Sequence, residues 1–389
     1  MSACKLRIGI VGLGNAGLAF VPALQKHRDF EWVAFAEPIE GTRLSSEIRF
    51  GIKGYANLVD MLKHPGLDLV CIASPTECHT QQALQAVEAG KHVLVEKPMA
   101  VDLADALKMV SAADKAGVAL LVGHSHSYDM PIRKMRELIA SGELGRVRMA
   151  HNWCYTDWMY RPRRPDELDL SLGGGVTFRQ GSHQFDILRL LCGGAARSVR
   201  ARTFDWDPQR STIGAHTVFI DFENGAVATA VYNGYGGFQS AELTHGISEW
   251  GFAPPANGAI VHRRRSGVRD PEAELKAKQA RAGTAIPDQA PHQPFFGVTL
   301  VSCERGDIRQ SAQGLWVYTA EGPREISLPV DQSPRDLVLD ELSDVIRGHA
   351  PATHDGRWGM ANLEICLAAI ASSQNSEDML LHQQQALPV

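Results

Sequence analysis

Residues 8 to 17 read Ile-Gly-Ile-Val-Gly-Leu-Gly-Asn-Ala-Gly, which places Gly12, Gly14 and Gly17 in a G-x-G-x-x-G run directly after an apolar stretch. Glu37 follows twenty residues beyond Gly17. Few folds accommodate this combination. The first glycine permits a tight turn out of a strand, the second lets backbone approach a pyrophosphate, and the third lets the next helix lie close to the sheet. The helix entered at Asn15 and Ala16 then turns unpaired N–H groups toward the phosphates. Glu37 would accept hydrogen bonds from an adenine-ribose hydroxyl. Its charge disfavours a 2′-phosphate, so NAD is expected in preference to NADP, with nearby Arg43 working against that preference. A glycine run alone is weak, but strand, fingerprint, helix and acid at these intervals together are a strong dinucleotide signal.

Lys5 and Arg7 precede seventeen uncharged residues, Ile8 to Leu24, a loose likeness to a secretory leader. Four glycines interrupt the run and no small-x-small site ends it, so strand, turn and helix account for it better. The 389 residues, 44% hydrophobic, suffice for two domains that each bury a core. A net charge of −5 gives no basic footprint for nucleic acid or an anionic membrane. No other apolar run reaches the roughly eighteen residues that a bilayer span needs. The seven cysteines are scattered, with Cys4, Cys71 and Cys192 in apolar surroundings, which suggests a reduced, cytoplasmic setting. Cys78 and His79 are adjacent, but no C-x-x-C or H-x-x-x-H spacing accompanies them, and no metal site is expected.

Apolar runs at Leu6–Val11, Trp32–Ala36, Leu69–Ala73, Val93–Val95 and Ala119–Val122 alternate with helical patterns. In 102–116, Leu103, Ala106, Leu107 and Val110 share a helix face, Asp102 can cap it and Gly117 can end it. The expected fold class is therefore α/β: an N-terminal Rossmann doubly wound parallel sheet over residues 1–123. After Gly123 an amphipathic helix at 132–139 leads into strand-like stretches at 147–158, 197–204, 215–221, 226–232, 296–303, 314–318 and 324–328. Asn224-Gly225 forms a hairpin turn, and helical patterns return at 334–347 and 358–373. Residues 124–389 should form an α+β domain with a mostly antiparallel sheet. Residues 236–294 read as an insertion that either covers a site or contacts another subunit, or else is solvated. It holds a polar helix from Asp270-Pro271, with Glu272–Lys276 and Glu274–Lys278 spaced to pair.

Two segments carry candidate chemistry. His92–Pro98 ends a strand in Glu96-Lys97-Pro98, and the C-terminal ends of strands in an open α/β sheet border the ligand crevice, so Lys97 should enter it. Gly173–His183 leads into a helix carrying Phe185, Leu188 and Leu191. If the segment is helical, Arg179 and His183 share a face.

With these residues in view, the chain resembles the oxidoreductase family of glucose–fructose oxidoreductase, inositol dehydrogenase and MocA (Gfo/Idh/MocA). The resemblance rests on Gly12-Gly14-Gly17, Ala73-Ser74-Pro75 with His79, Glu96-Lys97-Pro98, and Gly173-Gly174-Gly175 leading to Gly181-Ser182-His183. Leu363-Glu364 and Ser372-Ser373 fit the family's final long helix. It implies that Ala73, Ser74, Pro75, His79 and Glu96 belong to the cofactor side and that Lys97 and His183 flank nicotinamide and substrate. It also implies that the open second sheet joins copies as a homodimer or homotetramer. Most relatives place an aspartate four residues before the histidine, where this chain has Arg179. An arginine offers a planar fork to a carboxylate or phosphate. Arg161, Arg163 and Arg164 on the loop Tyr160–Pro165 are further candidates for an anionic substrate, or a solvated surface cluster. His124, His126 and Tyr128 in Gly123–Asp129 are candidates to line the pocket. The three segments together resemble the 4,5-dihydroxyphthalate dehydrogenase branch, which implies oxidation of phthalate 4,5-cis-dihydrodiol in aromatic catabolism. Lys97 is then the preferred base and His183 its orienting partner. The alternatives are a sugar-acid or cyclitol dehydrogenase and a non-catalytic NAD(P)-sensing regulator.

Overall fold

The computed structural model describes residues 4–253, 270–283 and 290–387. Six strands, β1 (Leu6–Val11), β2 (Phe30–Ala36), β3 (Lys53–Tyr55), β4 (Leu69–Ile72), β5 (His92–Glu96) and β6 (Leu120–Gly123), pair in parallel in the order β3-β2-β1-β4-β5-β6. The strands are apolar on both faces because helices cover both. Ile8 and Ile10 of β1 enter one core with Phe20, Phe35 and Leu121, while Val11 enters the other with Val70 and Val95. The order leaves β1 in both directions, so a crevice opens beyond the C-terminal ends of β1 and β4. The helix Leu103–Ala116 starts and stops where its sequence dictates. Asp102 accepts a hydrogen bond from the Asp105 N–H, and Gly117 takes the left-handed conformation that closes the last turn.

Nine strands form the second sheet: β7 (Val147–Tyr155), β8 (Ala196–Phe204), β9 (Ala215–Phe222), β10 (Val227–Asn233), β11 (Val298–Cys303), β12 (Gly306–Gln310), β13 (Gly314–Thr319), β14 (Gly322–Ser327) and β15 (Met379–Leu380). Their order is β14-β13-β12-β11-β7-β10-β9-β8-β15, antiparallel throughout except where β10 runs beside β7. Gly225, at a φ of +82°, makes the tight β9–β10 turn. The helices Ser182–Cys192 and Gly356–Asn375 pack against this second half of the chain. On the uncovered side Met149, Trp153 and Phe219 are 45%, 41% and 43% exposed. The protein is thus a parallel Rossmann-like sheet followed by a mostly antiparallel one.

Several features depart from the sequence reading. The strands β3, β12 and β15 carry no clear pattern: Lys53-Gly-Tyr, a polar Gly306–Gln310, and a two-residue edge. The helix Pro334–Arg347, though late in the chain, packs Val338, Leu339 and Leu342 into the first sheet's core. A division at residue 123 therefore follows the sheets but not the packing. Cys71 and Cys192 are buried, whereas Cys4 is exposed. The helix Pro271–Gly283 forms and the Glu272–Lys276 pair closes at 2.8 Å. Glu274 and Lys278 do not pair with each other: Glu274 meets Arg210 and Lys278 meets Glu167. These bonds fasten part of the insertion to the body of the protein. Residues 254–269 and 284–289 of the insertion lie outside the described residues.

Trp358 fastens the final helix. It is fully buried, its indole N–H donates to Asp186 at 2.6 Å, and the Arg189 guanidinium lies 3.8 Å over its ring. Trp358→Ala should cost about 3–5 kcal/mol from cavity formation alone. A chemical denaturation curve with an unchanged midpoint would contradict this packing.

Candidate active site

A cleft of about 700 Å³ lies at the C-terminal ends of β1, β2 and β4. The three glycines serve it in different ways. Gly12 has a φ of +88°, and a Cβ there would stand 2.9 Å from the Ala73 carbonyl oxygen. A Cβ on Gly17 would stand 2.1 Å from the Gly12 carbonyl oxygen, so only glycine lets helix and strand approach. A Cβ on Gly14 would meet no protein atom within 4 Å, because Gly14 faces the cleft. Asn15 lines the cleft at the start of a four-residue helix, Asn15–Leu18, with Ala16 and Gly17 behind it. Glu37 presents its carboxylate at the end of β2, fixed by main-chain N–H groups of Leu13 at 3.2 Å and Ile39 at 3.1 Å. Arg43 stands outside the lining and donates to the carbonyls of Glu37 and Pro38. Ala73, Ser74 and Pro75 form the opposite wall. His79 is buried behind them, with ring nitrogens 2.9 Å and 3.0 Å from the carbonyls of Pro98 and Ser74, so it pins the β4 and β5 ends together. Main-chain walls beside a fixed carboxylate, with apolar Ile39, Leu58 and Val59, suit a dinucleotide.

Lys97 follows β5 and is joined to Pro98 by a cis peptide. Its Nζ donates to the main-chain carbonyl of Arg179 at 2.9 Å. Residues Thr177–Gly181 form a π-turn, a widening of the helix that presents this carbonyl to the lysine. Burial brings the amine down to about 8; Glu96 opposes the shift, and the Arg179 and Arg335 guanidiniums assist it. His183 is buried and its Nδ1 has no hydrogen-bond partner. Burial, reinforced by Lys97, holds its imidazole well below the usual histidine range. The His126 ring lies edge-on to it at 4.7 Å and stacks on Phe296 at 4.3 Å, with Trp250 at 5.3 Å. His126 Nδ1 lies 3.1 Å from Asp129, whose carboxyl burial pushes up to about 6 against the pull of His126. His124 is also buried and held down to about 4 by burial. An amine with a lowered pKa, a neutral imidazole and an aromatic wall thus converge, an arrangement suited to accepting a hydroxyl proton once the amine has lost its own.

The remaining sequence candidates fall elsewhere. Arg179 gives its carbonyl to Lys97 and turns its guanidinium toward Asp166, 3.5 Å away. Arg161 pairs with Asp157 and Glu249, and Arg163 lies over the Trp158 ring, donates to the Trp158 carbonyl and pairs with Glu167. Arg164 pairs with Asp166 and lines the dinucleotide cleft. Carboxylates of the protein therefore already engage the arginine triplet expected to hold a substrate. Tyr128 is not a pocket residue: its ring is fully buried in the first sheet's core, and its hydroxyl donates to Glu341. The sequence reading missed Arg335, which is buried 3.2 Å from Glu96, together with Phe296 and Trp250. It also missed Leu275 and Lys278, which line the dinucleotide cleft from the insertion.

Residues 6–124 match the oxidoreductase family with NAD-binding Rossmann fold, and residues 132–240 match the GFO/IDH/MocA C-terminal domain. The chain is 37% identical over 374 residues, 94% of both chains, to 1-carboxy-3-chloro-3,4-dihydroxycyclo hexa-1,5-diene dehydrogenase of Comamonas testosteroni. It is 28% identical to myo-inositol 2-dehydrogenase of Thermotoga maritima over 50% of this chain and 58% of that protein. Among solved structures, a dehydrogenase from Bordetella bronchiseptica RB50 superposes with a TM-score of 0.91 at 39% identity, covering 97% of this chain and all of that one. The WlbA dehydrogenase of Bordetella pertussis, solved with NADH and UDP-GlcNAcA, shares the fold at a TM-score of 0.70 and 22% identity, over 97% and 99% of the two chains. The protein is a dehydrogenase that belongs to the Gfo/Idh/MocA oxidoreductase family.

Proposed function

We propose that this dehydrogenase uses NAD to oxidise a carboxylated cyclic cis-diol, with phthalate 4,5-cis-dihydrodiol as the expected substrate. The observation that carries the reading is Lys97: a buried amine beside the dinucleotide cleft, under the influence of two guanidiniums. Arg179 and Arg335, each beside a carboxylate of the protein, are the guanidiniums near this amine that a ring carboxylate could meet. The Comamonas relative, whose name describes a carboxylated cyclohexadiene diol, supports the same substrate class.

NAD⁺ bound in the cleft would supply the hydride acceptor. Lys97, in its neutral form, takes the proton of the ring hydroxyl whose carbon is oxidised. His183, neutral through burial, hydrogen-bonds the neighbouring hydroxyl and orients the ring. Phe296 and Trp250 give the ring an apolar wall. The enone so formed tautomerises to an aromatic catechol, which draws the oxidation forward.

The fixed Glu37 carboxylate supports NAD over NADP, because a 2′-phosphate would lie against an anion and Arg43 is already bonded to carbonyls. The exposed Met149, Trp153 and Phe219 support association of copies through the open sheet.

A spectrophotometric screen of NAD reduction against carboxylated cis-dihydrodiols, inositols and uronates should give the highest kcat/KM with a carboxylated dihydrodiol. A preference for neutral polyols would sink the substrate assignment. With the best substrate, kcat/KM should rise with pH and level off above about 8, because a base with a lowered pKa acts once its proton has left. Lys97→Met should abolish turnover while leaving NAD affinity nearly unchanged; an active variant removes Lys97 as the base. Fluorescence titrations should show tighter NADH than NADPH binding in the wild type and a narrower gap in Glu37→Ser. Light scattering should report a dimer or tetramer, and a monomer at micromolar concentration would contradict association through the sheet.

A further inference from the structure

A second group of buried polar residues adjoins the catalytic centre and takes no part in the chemistry above. His354 lies between two carboxylates, with Nδ1 3.3 Å from Glu341 Oε2 and Nε2 3.6 Å from Asp186 Oδ1. Ser127 Oγ is 3.0 Å from the same Nε2. The His124 ring stands 6.3 Å from the His354 ring, and neither of its nitrogens has a hydrogen-bond partner. Asp186 accepts from the Trp358 indole through Oδ1, while its Oδ2 also lacks a partner. At the far end His354 lines a surface pocket of about 150 Å³ with Arg133, Glu137 and Thr353, and the Glu341 side chain is 14% exposed.

We propose that His124, Asp186 and His354 form a relay that carries the proton taken up by Lys97 to solvent at the Arg133–Glu137 pocket, with Glu341 and Tyr128 positioning His354. The proposal rests on Lys97 as the base. Each turnover converts a hydroxyl and NAD⁺ into a carbonyl, NADH and one proton, and that proton must leave a lysine held out of water. Fully satisfied buried groups would suffice for a structural network. Two orphaned imidazole nitrogens and an orphaned carboxylate oxygen are costly in such a role, but they are the atoms that water-bridged transfer between Lys97 and Asp186 would use. An imidazole can accept a proton on one nitrogen and release it from the other. Glu341 accepts from Tyr128 and from the main-chain N–H groups of Thr353 and His354, and these bonds and His354 hold it down to about 2 against burial. It therefore stays ionised and orients the histidine. The charged groups facing the relay are Lys97, Arg133, Arg189, Asp186 and Glu341.

The test compares wild type and His354→Ala on any diol the wild type oxidises, so it does not depend on the identity of the ring substrate. Removing a proton carrier should lower kcat by about tenfold or more. The solvent deuterium isotope effect on kcat should rise, and added imidazole should restore activity. A rise in Tm of the variant with imidazole reports that the site has been refilled. An unchanged kcat, or a raised Tm without rescue and with the wild-type isotope effect, would overturn the relay. Should His354→Ala fail to fold or to take up imidazole, Glu341→Gln decides: the isotope effect is expected to rise, and an unchanged one counts against the proposal. Lys97→Met retaining activity would instead remove the base assignment, a separate failure.

Discussion

Lys97 can act as a base near neutral pH only if its amine is kept from water, and much of the molecule serves that end. Lowering an ammonium from its usual range to about 8 corresponds to a few kcal/mol, on the order of 3, against the charged form. The surrounding structure must impose this, since a free side chain would swing to solvent. Three restraints meet at the end of β5. His79 joins the Ser74 and Pro98 carbonyls, so the turn beyond β5 is fixed to the turn beyond β4. The π-turn at Thr177–Gly181 offers the Arg179 carbonyl to Nζ. Arg335, from the helix that packs back onto the first sheet, pairs with Glu96 and adds positive charge on the other side. Each restraint comes from a different part of the chain, so the base exists only when both sheets and the returning helix are assembled.

That dependence explains which parts of the site were legible in the sequence. Gly12 and Gly17 answer to local steric constraints that no other residue meets, Gly14 keeps the cleft open, and Glu37 follows at a fixed distance along one βαβ unit. Lys97 could be placed because a strand end in an open parallel sheet borders the crevice. Arg335, Phe296 and Trp250 sit far along the chain from Lys97, and no spacing rule links them to it. Arg161, Arg163 and Arg164, read from the sequence as substrate ligands or a solvated cluster, are instead held in ion pairs, and the cause was partly visible. Asp157, Asp166 and Glu167 lie within four residues of them, and a guanidinium beside a carboxylate of its own chain has little reason to wait for another. Tyr128 gave no comparable warning, because residues distant in sequence, His354 and the returning helix with Glu341, pack against it.

The segment after residue 236 also changes meaning in three dimensions. As sequence it is polar and interrupted by prolines. In the fold its described parts bring Trp250 to His126, Glu249 to Arg161, Glu274 to Arg210 and Lys278 to Glu167. Leu275 and Lys278 border the dinucleotide cleft, while Trp250 borders His126. One stretch thus touches both sides of the site, and through Glu249 it engages Arg161, one of the arginines read from the sequence as candidates for an anionic substrate.

Arg179 shows how a departure from the family pattern can preserve one role and change another. The main chain at this position supplies the lysine's hydrogen bond, a role that any residue adopting the π-turn could fill. The side chain is then free to differ. An aspartate there would add negative charge near Lys97 and raise the amine's pKa; the arginine does the reverse and assists burial in lowering it. The guanidinium also pairs with Asp166, next to Arg164 in the wall of the dinucleotide cleft. With Lys97 as the proposed base and a carboxylated ring as the proposed substrate, the arginine would act on both through a single electrostatic effect. A guanidinium in place of a carboxylate at this position makes the amine lose its proton more readily.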